Sequence, residues 1–214
     1  MGITETVALS MGAAWASGIN LYAALFMLGL LGSTGQMVLP DELQFVTNPM
    51  VMGAAGVMYC IEFFTDKLPG VDSGWDAIHT FIRIPAGAIL AARGMAEIAP
   101  AAELAGLLLG GSLAAATHAT KAGSRLVING SPEPVSNWTV SLGEDTAVVA
   151  GVWSALAHPW VFLVFLSIFI LAMIWLLPRI WRGARWIFQG LRSPVKGSGR
   201  SLPSSPPQVP EDER

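Results

Sequence analysis

Long apolar segments with few charges make up most of the chain. Two of them, Val7–Leu31 and Trp160–Leu177, reach the roughly 18 apolar residues that a helix needs to cross a bilayer. Four more are shorter or carry charges at their ends, and these are Pro49–Phe64, Ala77–Ala92, Leu104–Thr120 and Ala147–Ala157. If the charges enter the membrane with their helices, the pattern predicts six spans. The alternative is that the middle runs are re-entrant or broken helices, which would move the turns between them toward the bilayer centre.

The composition agrees with a membrane environment. Of the 214 residues, 53% are hydrophobic and 13% are charged, against about 25% charged in a typical soluble domain. We therefore predict an all-α fold, a polytopic transmembrane helical bundle. The acidic Glu5 and the length of the first apolar run favour a retained membrane helix over a signal peptide. The net charge of −3 is too small to predict binding to nucleic acid.

Cys60 is the only cysteine, which excludes an intrachain disulfide and a multi-cysteine metal site. Because it lies in an apolar run, we expect it to be a small buried side chain. The chain has no phosphate-binding loop, dinucleotide-binding fingerprint or zinc-protease motif. We assign no cofactor, no metal site and no catalytic residue.

The distribution of Lys and Arg predicts the orientation. The loop Gly32–Asn48 contains neither, whereas the stretch after the last span is basic, with Arg179, Arg182, Arg185, Arg192, Lys196 and Arg200. The C-terminus is therefore expected in the cytoplasm. Six spans would place the N-terminus and the turns of both charged segments there too. We divide the chain into a transmembrane domain (1–178), an amphipathic juxtamembrane helix (179–192) and a disordered cytoplasmic tail rich in Pro and Ser (193–214).

Charged residues gather in two segments, 62–83 and 118–145, which resemble each other. A shift of 63 positions sets the acidic Glu62 opposite the basic Arg125, so the charges are partly swapped. We predict two related helix–turn–helix units, and a pseudo-twofold pairing would bring their opposite charges together. Duplicated halves with a site at their interface are common in transporters. The same shift aligns identical residues without a gap: Pro69 and Pro132, Ser73 and Ser136, Trp75 and Trp138.

Helical spacing places these charges on single faces. Asp76, His79 and Arg83 fall at i, i+3 and i+7, and the segment 118–125 repeats that spacing. Charges inside a bilayer are costly unless they are paired or face water, so we expect the stripes to point inward and the acids to neutralise Lys67 and the other bases. One interpretation is a set of ion pairs that fixes how the helices dock. The other is a polar cavity that binds an ion, a proton or a lipid headgroup.

Under the second interpretation the cluster is a candidate binding site. His79 and His118 are its natural proton-responsive groups. The mixture of signs favours a zwitterionic or phosphate-bearing ligand, or a proton relay, over a bare cation. The candidate substrate-binding residues are Glu62, Asp66, Asp72, Asp76, His79, Arg83, His118, Lys121, Arg125, Glu133, Asn137, Glu144 and Asp145.

Several motifs are long enough to be specific. They are Gly18-Ile-Asn20-Leu-Tyr22, the run from Glu62 to Asp76, the run from His79 to Gly87, Lys121-Ala-Gly-Ser-Arg125, and the run from Ser131 to Trp138. Together they resemble a bacterial membrane family catalogued as domain of unknown function 4126, across most of the chain. The resemblance implies a location in the bacterial cytoplasmic membrane and supplies no activity.

Three functions are compatible with these patterns. The first is a small transporter or permease-like protein, with the charge cluster as its site. The second is a non-catalytic scaffold that docks another protein at the turns Pro69–Asp76 and Ser131–Trp138. The third is a lipid-modifying enzyme, for which Asp72 or His79 would be the first acid or base to test. The expected partners are the lipid bilayer and a small solute, ion or lipid headgroup. Assembly into a homo-oligomer is a further alternative.

Overall fold

Each apolar run of the sequence lies inside one α-helix. A computed structural model describes residues 1–129 and 134–192 of the chain. These residues form six α-helices, one short 3-10 helix (Asp41–Thr47) and no strand, so the prediction of an all-α fold is confirmed. The helices are α1 (Ile3–Ser33), α2 (Pro49–Thr65), α3 (Val71–Met95), α4 (Pro100–Ile128), α5 (Pro134–Ala157) and α6 (Pro159–Arg192).

Among the described residues, three helices are long and apolar enough to cross a membrane. They are α1, α4 and the part of α6 from Pro159 to Arg179. Helix α2 is apolar but has only 17 residues. Helix α3 carries Asp76, His79 and Arg83 on its buried face, which lowers its mean hydropathy. The same polar face that weakens the membrane signal of α3 therefore supplies the charge cluster.

Helix α1 lies at the centre of the bundle and contacts all five other α-helices. Trp15 on α1 is almost fully buried and meets Phe162 and Phe165 of α6 edge to face. Helices α3 and α4 approach closely, because a Cβ atom added to Gly110 would collide with the Cβ atom of Ala91. Small residues thus bring the helices that carry the charges near one another.

Helix α1 is interrupted at Asn20, close to its midpoint. The backbone of Asn20 is extended, with φ of −146° and ψ of 96°. Its side-chain oxygen accepts a hydrogen bond from the amide of Ala23 at 2.9 Å. That bond supplies an acceptor to an amide at the start of the second half of the helix, as an N-cap does. The long apolar run that predicted one continuous span therefore forms two helical segments joined at a kink.

The turns differ from their predicted extents. The first turn ends at Gly70, and residues from Val71 onward are already helical. In the second segment α5 begins at Pro134, so Trp138 lies in a helix and not in a turn. Helix α6 runs through Pro178 and covers both the last apolar run and the predicted juxtamembrane segment. The predicted tail, 193–214, lies outside the described residues.

Cys60 is exposed, so the expectation of a buried thiol is wrong. The reason is that α2 packs mainly on α1 through one face and leaves its other faces on the outside of the bundle. An apolar neighbourhood in sequence predicts a buried residue only when the surroundings of the protein are aqueous. Large apolar side chains on the same helix, such as Met50 and Phe64, are exposed as well.

Candidate functional site

Arg83 of α3 forms one end of the charge cluster. Its Nη2 atom lies 2.6 Å from Oε1 of Glu62, and its Nη1 atom lies 2.7 Å from Oδ1 of Asp76. All three side chains are almost completely shielded. Ser17 of α1 donates a hydrogen bond to the backbone carbonyl of Arg83 at 2.8 Å. These contacts join α1, α2 and α3 at one point.

Lys121 of α4 occupies the middle of the cluster. Its Nζ atom lies 2.7 Å from Oδ2 of Asp66 and 3.3 Å from Oε1 of Glu62. The same atom donates to the backbone carbonyl of Ile19 at 2.9 Å, immediately before the interruption in α1. Glu144 of α5 approaches to 3.7 Å. One ammonium group therefore links both charged segments to the broken helix.

Arg125 of α4 forms the other end of the cluster. Its Nη2 atom lies 2.5 Å from Oε2 of Glu144 and 3.6 Å from Oδ2 of Asp66. Its Nη1 atom donates to the backbone carbonyl of Asp66 at 2.8 Å, which fixes the turn that follows α2. The pair formed by Arg125 and Glu144 joins α4 to α5, as Glu62 and Arg83 join α2 to α3, with the signs exchanged. Glu62 and Arg125 themselves form no direct ion pair.

Two amide side chains connect the first turn to α4 and α5. Asn129 donates to both carboxylate oxygens of Asp72, at 2.8 and 3.0 Å, and also to Ser73. Asn137 of α5 donates to Asn129 at 2.7 Å. Asp72 also accepts hydrogen bonds from the backbone amides of Gly70 and Ser73. These bonds order the first turn and tie it to the end of α4.

The two predicted histidines lie at the edge of the cluster. His79 stacks on Trp75 with 4.1 Å between ring centroids, and its Nε2 atom lies 3.1 Å from the Tyr22 hydroxyl. The Nδ1 atom of His118 lies 3.2 Å from Nη1 of Arg83, and its Nε2 atom lies 2.7 Å from the Thr80 hydroxyl. A guanidinium only donates hydrogen bonds, so Nδ1 of His118 is the acceptor and its ring is neutral in this arrangement.

Asp145 of α5 is the acid closest to the interruption in α1. Its Oδ1 atom accepts a hydrogen bond from the side-chain amide of Asn20 at 3.1 Å. Nearby, Lys67 places its Nζ atom over the ring of Phe63 and donates to the backbone carbonyl of that residue at 2.9 Å. Lys67 also reaches Ser141 at 3.5 Å. Asp145 and Lys67 are not within ion-pair distance of each other.

Acids outnumber bases in this buried cluster. Six carboxylates face four cationic side chains, the acids being Glu62, Asp66, Asp72, Asp76, Glu144 and Asp145, and the bases Lys67, Arg83, Lys121 and Arg125. Four acids each keep one buried oxygen without a hydrogen-bond partner: Glu62, Asp66, Asp76 and Asp145. Within the described ranges, no three Asp, Glu, His or Cys side chains are arranged to hold a metal ion. Glu133, the remaining predicted residue, lies outside the described residues.

Three further residues, Ser17, Asn20 and Tyr22, belong to the site although sequence reasoning did not name them as candidate binding residues. Asn20 holds Asp145, Tyr22 meets His79, and Ser17 binds the backbone of Arg83. The available signal was Asn20 itself, an amide in the middle of an apolar run where an unpaired polar group is costly. It is also part of the motif that carries the family resemblance.

These features define an all-helical protein of the membrane type, with three helices apolar enough to span a bilayer and a buried network of ion pairs. The chain belongs to the family described as Domain of unknown function (DUF4126), whose model matches residues 7–179. That match covers the whole charge cluster and confirms the resemblance seen in the sequence motifs. No curated protein and no solved structure matches the chain.

Proposed function

We propose that this protein is a small transporter or permease-like membrane protein whose charge cluster is a proton-coupled binding site. The observation that carries the proposal is the enclosed excess of acids beside the interruption in α1. Six carboxylates and four cations share a volume from which bulk water is largely shielded. A static cross-link between helices needs only balanced pairs, whereas the excess acids need protons or a positively charged ligand.

The charge excess supports coupling between protons and a ligand. An uncompensated carboxylate in a low-dielectric interior is strongly disfavoured, so it binds a proton or a cation. A cationic or zwitterionic ligand that enters the cluster displaces such a proton, and its departure allows the proton to return. Exchange of this kind is the elementary step of proton-coupled transport.

The broken helix supports movement around the site. Asn20 interrupts α1 near the middle of its length, and the Ile19 carbonyl before the break points to Lys121 instead of to the helix amide ladder. Discontinuous helices with backbone groups aimed at the substrate and coupling ions are typical of secondary transporters. Within a bilayer, backbone that lacks helical hydrogen bonds is tolerated only where protein or a polar cavity surrounds it.

The helix boundaries support two related units. Helix α2 ends at Thr65 and α4 at Ile128, a separation of 63 positions, and α3 and α5 begin at Val71 and Pro134 with the same separation. Together with the sign-exchanged pairs Glu62–Arg83 and Arg125–Glu144, this agreement favours a duplicated α-helical hairpin. We propose that all six helices cross the bacterial cytoplasmic membrane and that both termini are cytoplasmic.

Transport by purified protein in liposomes tests the proposal. Labelled zwitterionic and cationic solutes are offered outside proteoliposomes under an imposed pH gradient, and uptake is compared with that of empty liposomes. We expect uptake by the native protein, and its loss in Asp145→Asn, which keeps the shape of the side chain and the Asn20 bond. Asp41→Asn, at an exposed position in the 3-10 helix, is the matched control. Uptake that is unchanged in Asp145→Asn would contradict the proposed site.

A further inference from the structure

A groove opens on the outside of the bundle between α2 and α5. These two helices have almost no direct contact with each other, and both pack on α1, which supplies the floor of the groove at Met27. The groove has a volume of about 530 Å³, within the range of about 300–1,000 Å³ that is usual for small-molecule sites. Its other walls are the face of α5 from Leu142 to Trp153 and the pair Tyr59 and Phe63 on α2.

The lining of the groove is mostly apolar and aromatic, with the polar Thr146 and one charged residue. Tyr59, Phe63 and Trp153 contribute three aromatic rings. Asp145 is the only ionisable acid or base among the lining residues apart from the tyrosine hydroxyl. Asp145 is 8% exposed, and its Oδ2 atom is buried and has no hydrogen-bond partner. Aromatic faces and a carboxylate both attract cations, the former through their electrons and the latter through its charge.

The surrounding charges do not satisfy Asp145. The ammonium group of Lys67 lies over the Phe63 ring, 3.0 Å from the centroid, and makes no ion pair with Asp145. Lys121 is engaged by Asp66 and Glu62. One lining residue, Phe63, thus already carries an ammonium group on its ring, whereas Asp145, the acid of the lining, has no cationic partner within ion-pair distance.

We propose that this groove binds a hydrophobic organic cation, with its positive centre at Asp145 and its apolar body between Tyr59 and Trp153. The inference that such cations are transported rests on the function proposed above. The inference that they bind rests on the groove alone. An acyl chain of a neutral lipid would fill the apolar walls but would leave Asp145 without a cation. A cation bound in this groove lies beside the carboxylate that accepts a hydrogen bond from Asn20. Its binding therefore acts on the residue at which α1 is interrupted.

Binding of radiolabelled tetraphenylphosphonium to the full chain in lipid nanodiscs tests this inference. Empty nanodiscs measure partition into the lipid, and tetraphenylborate, which has the same shape and the opposite charge, measures apolar fit alone. We expect saturable binding of the cation only. Loss of a buried counter-charge predicts binding about thirtyfold weaker or more in Asp145→Asn. Binding is expected to be unchanged in Asp41→Asn, and several-fold weaker in Trp153→Leu.

Three results would overturn the inference: no saturable binding of the cation, equal binding by native protein and Asp145→Asn, or saturable binding of tetraphenylborate, which would indicate a lipid-like groove. Elution as a single species and an unchanged melting temperature of Asp145→Asn show that the variant is folded. The two proposals fail separately. Cation binding without uptake of any solute would contradict the transport function and leave this site intact, whereas solute uptake without cation binding would contradict this site alone.

Discussion

Lys121 donates a hydrogen bond to the backbone carbonyl of Ile19 at 2.9 Å, at the point where α1 is interrupted. The same ammonium group pairs with Asp66 and Glu62. The conformation of the central helix and the charge state of the cluster are therefore joined through one atom. We therefore expect a change in the protonation of these acids to alter the hydrogen bond between Lys121 and Ile19.

Replacing Lys121 with Met is expected to destabilise the protein strongly. The variant keeps most of the length of the side chain but leaves Asp66 and Glu62 without their shared cation, and breaking a buried pair in this way costs about 3–5 kcal/mol. Equilibrium unfolding in mixed micelles of mild detergent and dodecyl sulfate measures the difference. Arg93→Gln is the control, because Arg93 pairs with Glu42 where both side chains are about half exposed, and such pairs contribute about 1 kcal/mol or less. Equal losses in the two variants would contradict the central role of Lys121.

Replacing Asn20 with Ala is expected to cost more than the roughly 1 kcal/mol of a lost helix cap, because it also removes the hydrogen bond to the buried Asp145. Asn48→Ala is the control for loss of a cap alone, since Asn48 caps α2 by accepting from the amide of Met50 at 2.9 Å at an exposed position. Asn20→Ala should therefore lose more stability than Asn48→Ala, and only Asn20→Ala should abolish transport and speed hydrogen exchange at the amides just after the break. Equal transport activity of both variants would show that the interruption in α1 has no role in transport.

The proposed topology, with both termini in the cytoplasm, predicts which side of the membrane each turn faces. In a Cys60→Ser background, Leu68→Cys and Val135→Cys place thiols at exposed positions beside the two turns, and Val38→Cys places one in the loop after α1. A membrane-impermeant maleimide should label the first two only from the cytoplasm and the third only from outside. Labelling of Leu68→Cys from outside would reverse the topology, and no labelling of either turn from either side would place the turns within the bilayer.

Helical spacing was sufficient to predict much of the candidate site. The stripe of Asp76, His79 and Arg83 is buried because residues at i, i+3 and i+7 share one face of a helix. The same spacing does not say which neighbour that face meets. The sign-swapped alignment suggested that Glu62 would meet Arg125, but Glu62 pairs with Arg83 and Lys121, and Arg125 pairs with Glu144.

Other features could not be predicted because they depend on three-dimensional packing. A single Asn in an apolar run is compatible with an intact helix, and only the neighbouring Asp145 and Lys121 show why α1 is broken at Asn20. The burial of Cys60 was predicted wrongly, since hydropathy does not distinguish a side chain in the protein core from one on an apolar outer surface. The transmembrane domain was predicted to end at residue 178, yet α6 continues through that position.

Infrared difference spectroscopy of the protein in lipid tests the central claim most directly, which is that the enclosed acids hold exchangeable protons. The carbonyl stretch of a protonated carboxyl group is separate from the bands of an ionised carboxylate and shifts in heavy water. In neutral buffer free of organic cations, we predict a protonated-carboxyl band that loses intensity in Asp145→Asn and is unchanged in Asp41→Asn. A spectrum of the native protein with no such band would mean that every acid is ionised without a proton to exchange, and would contradict the account.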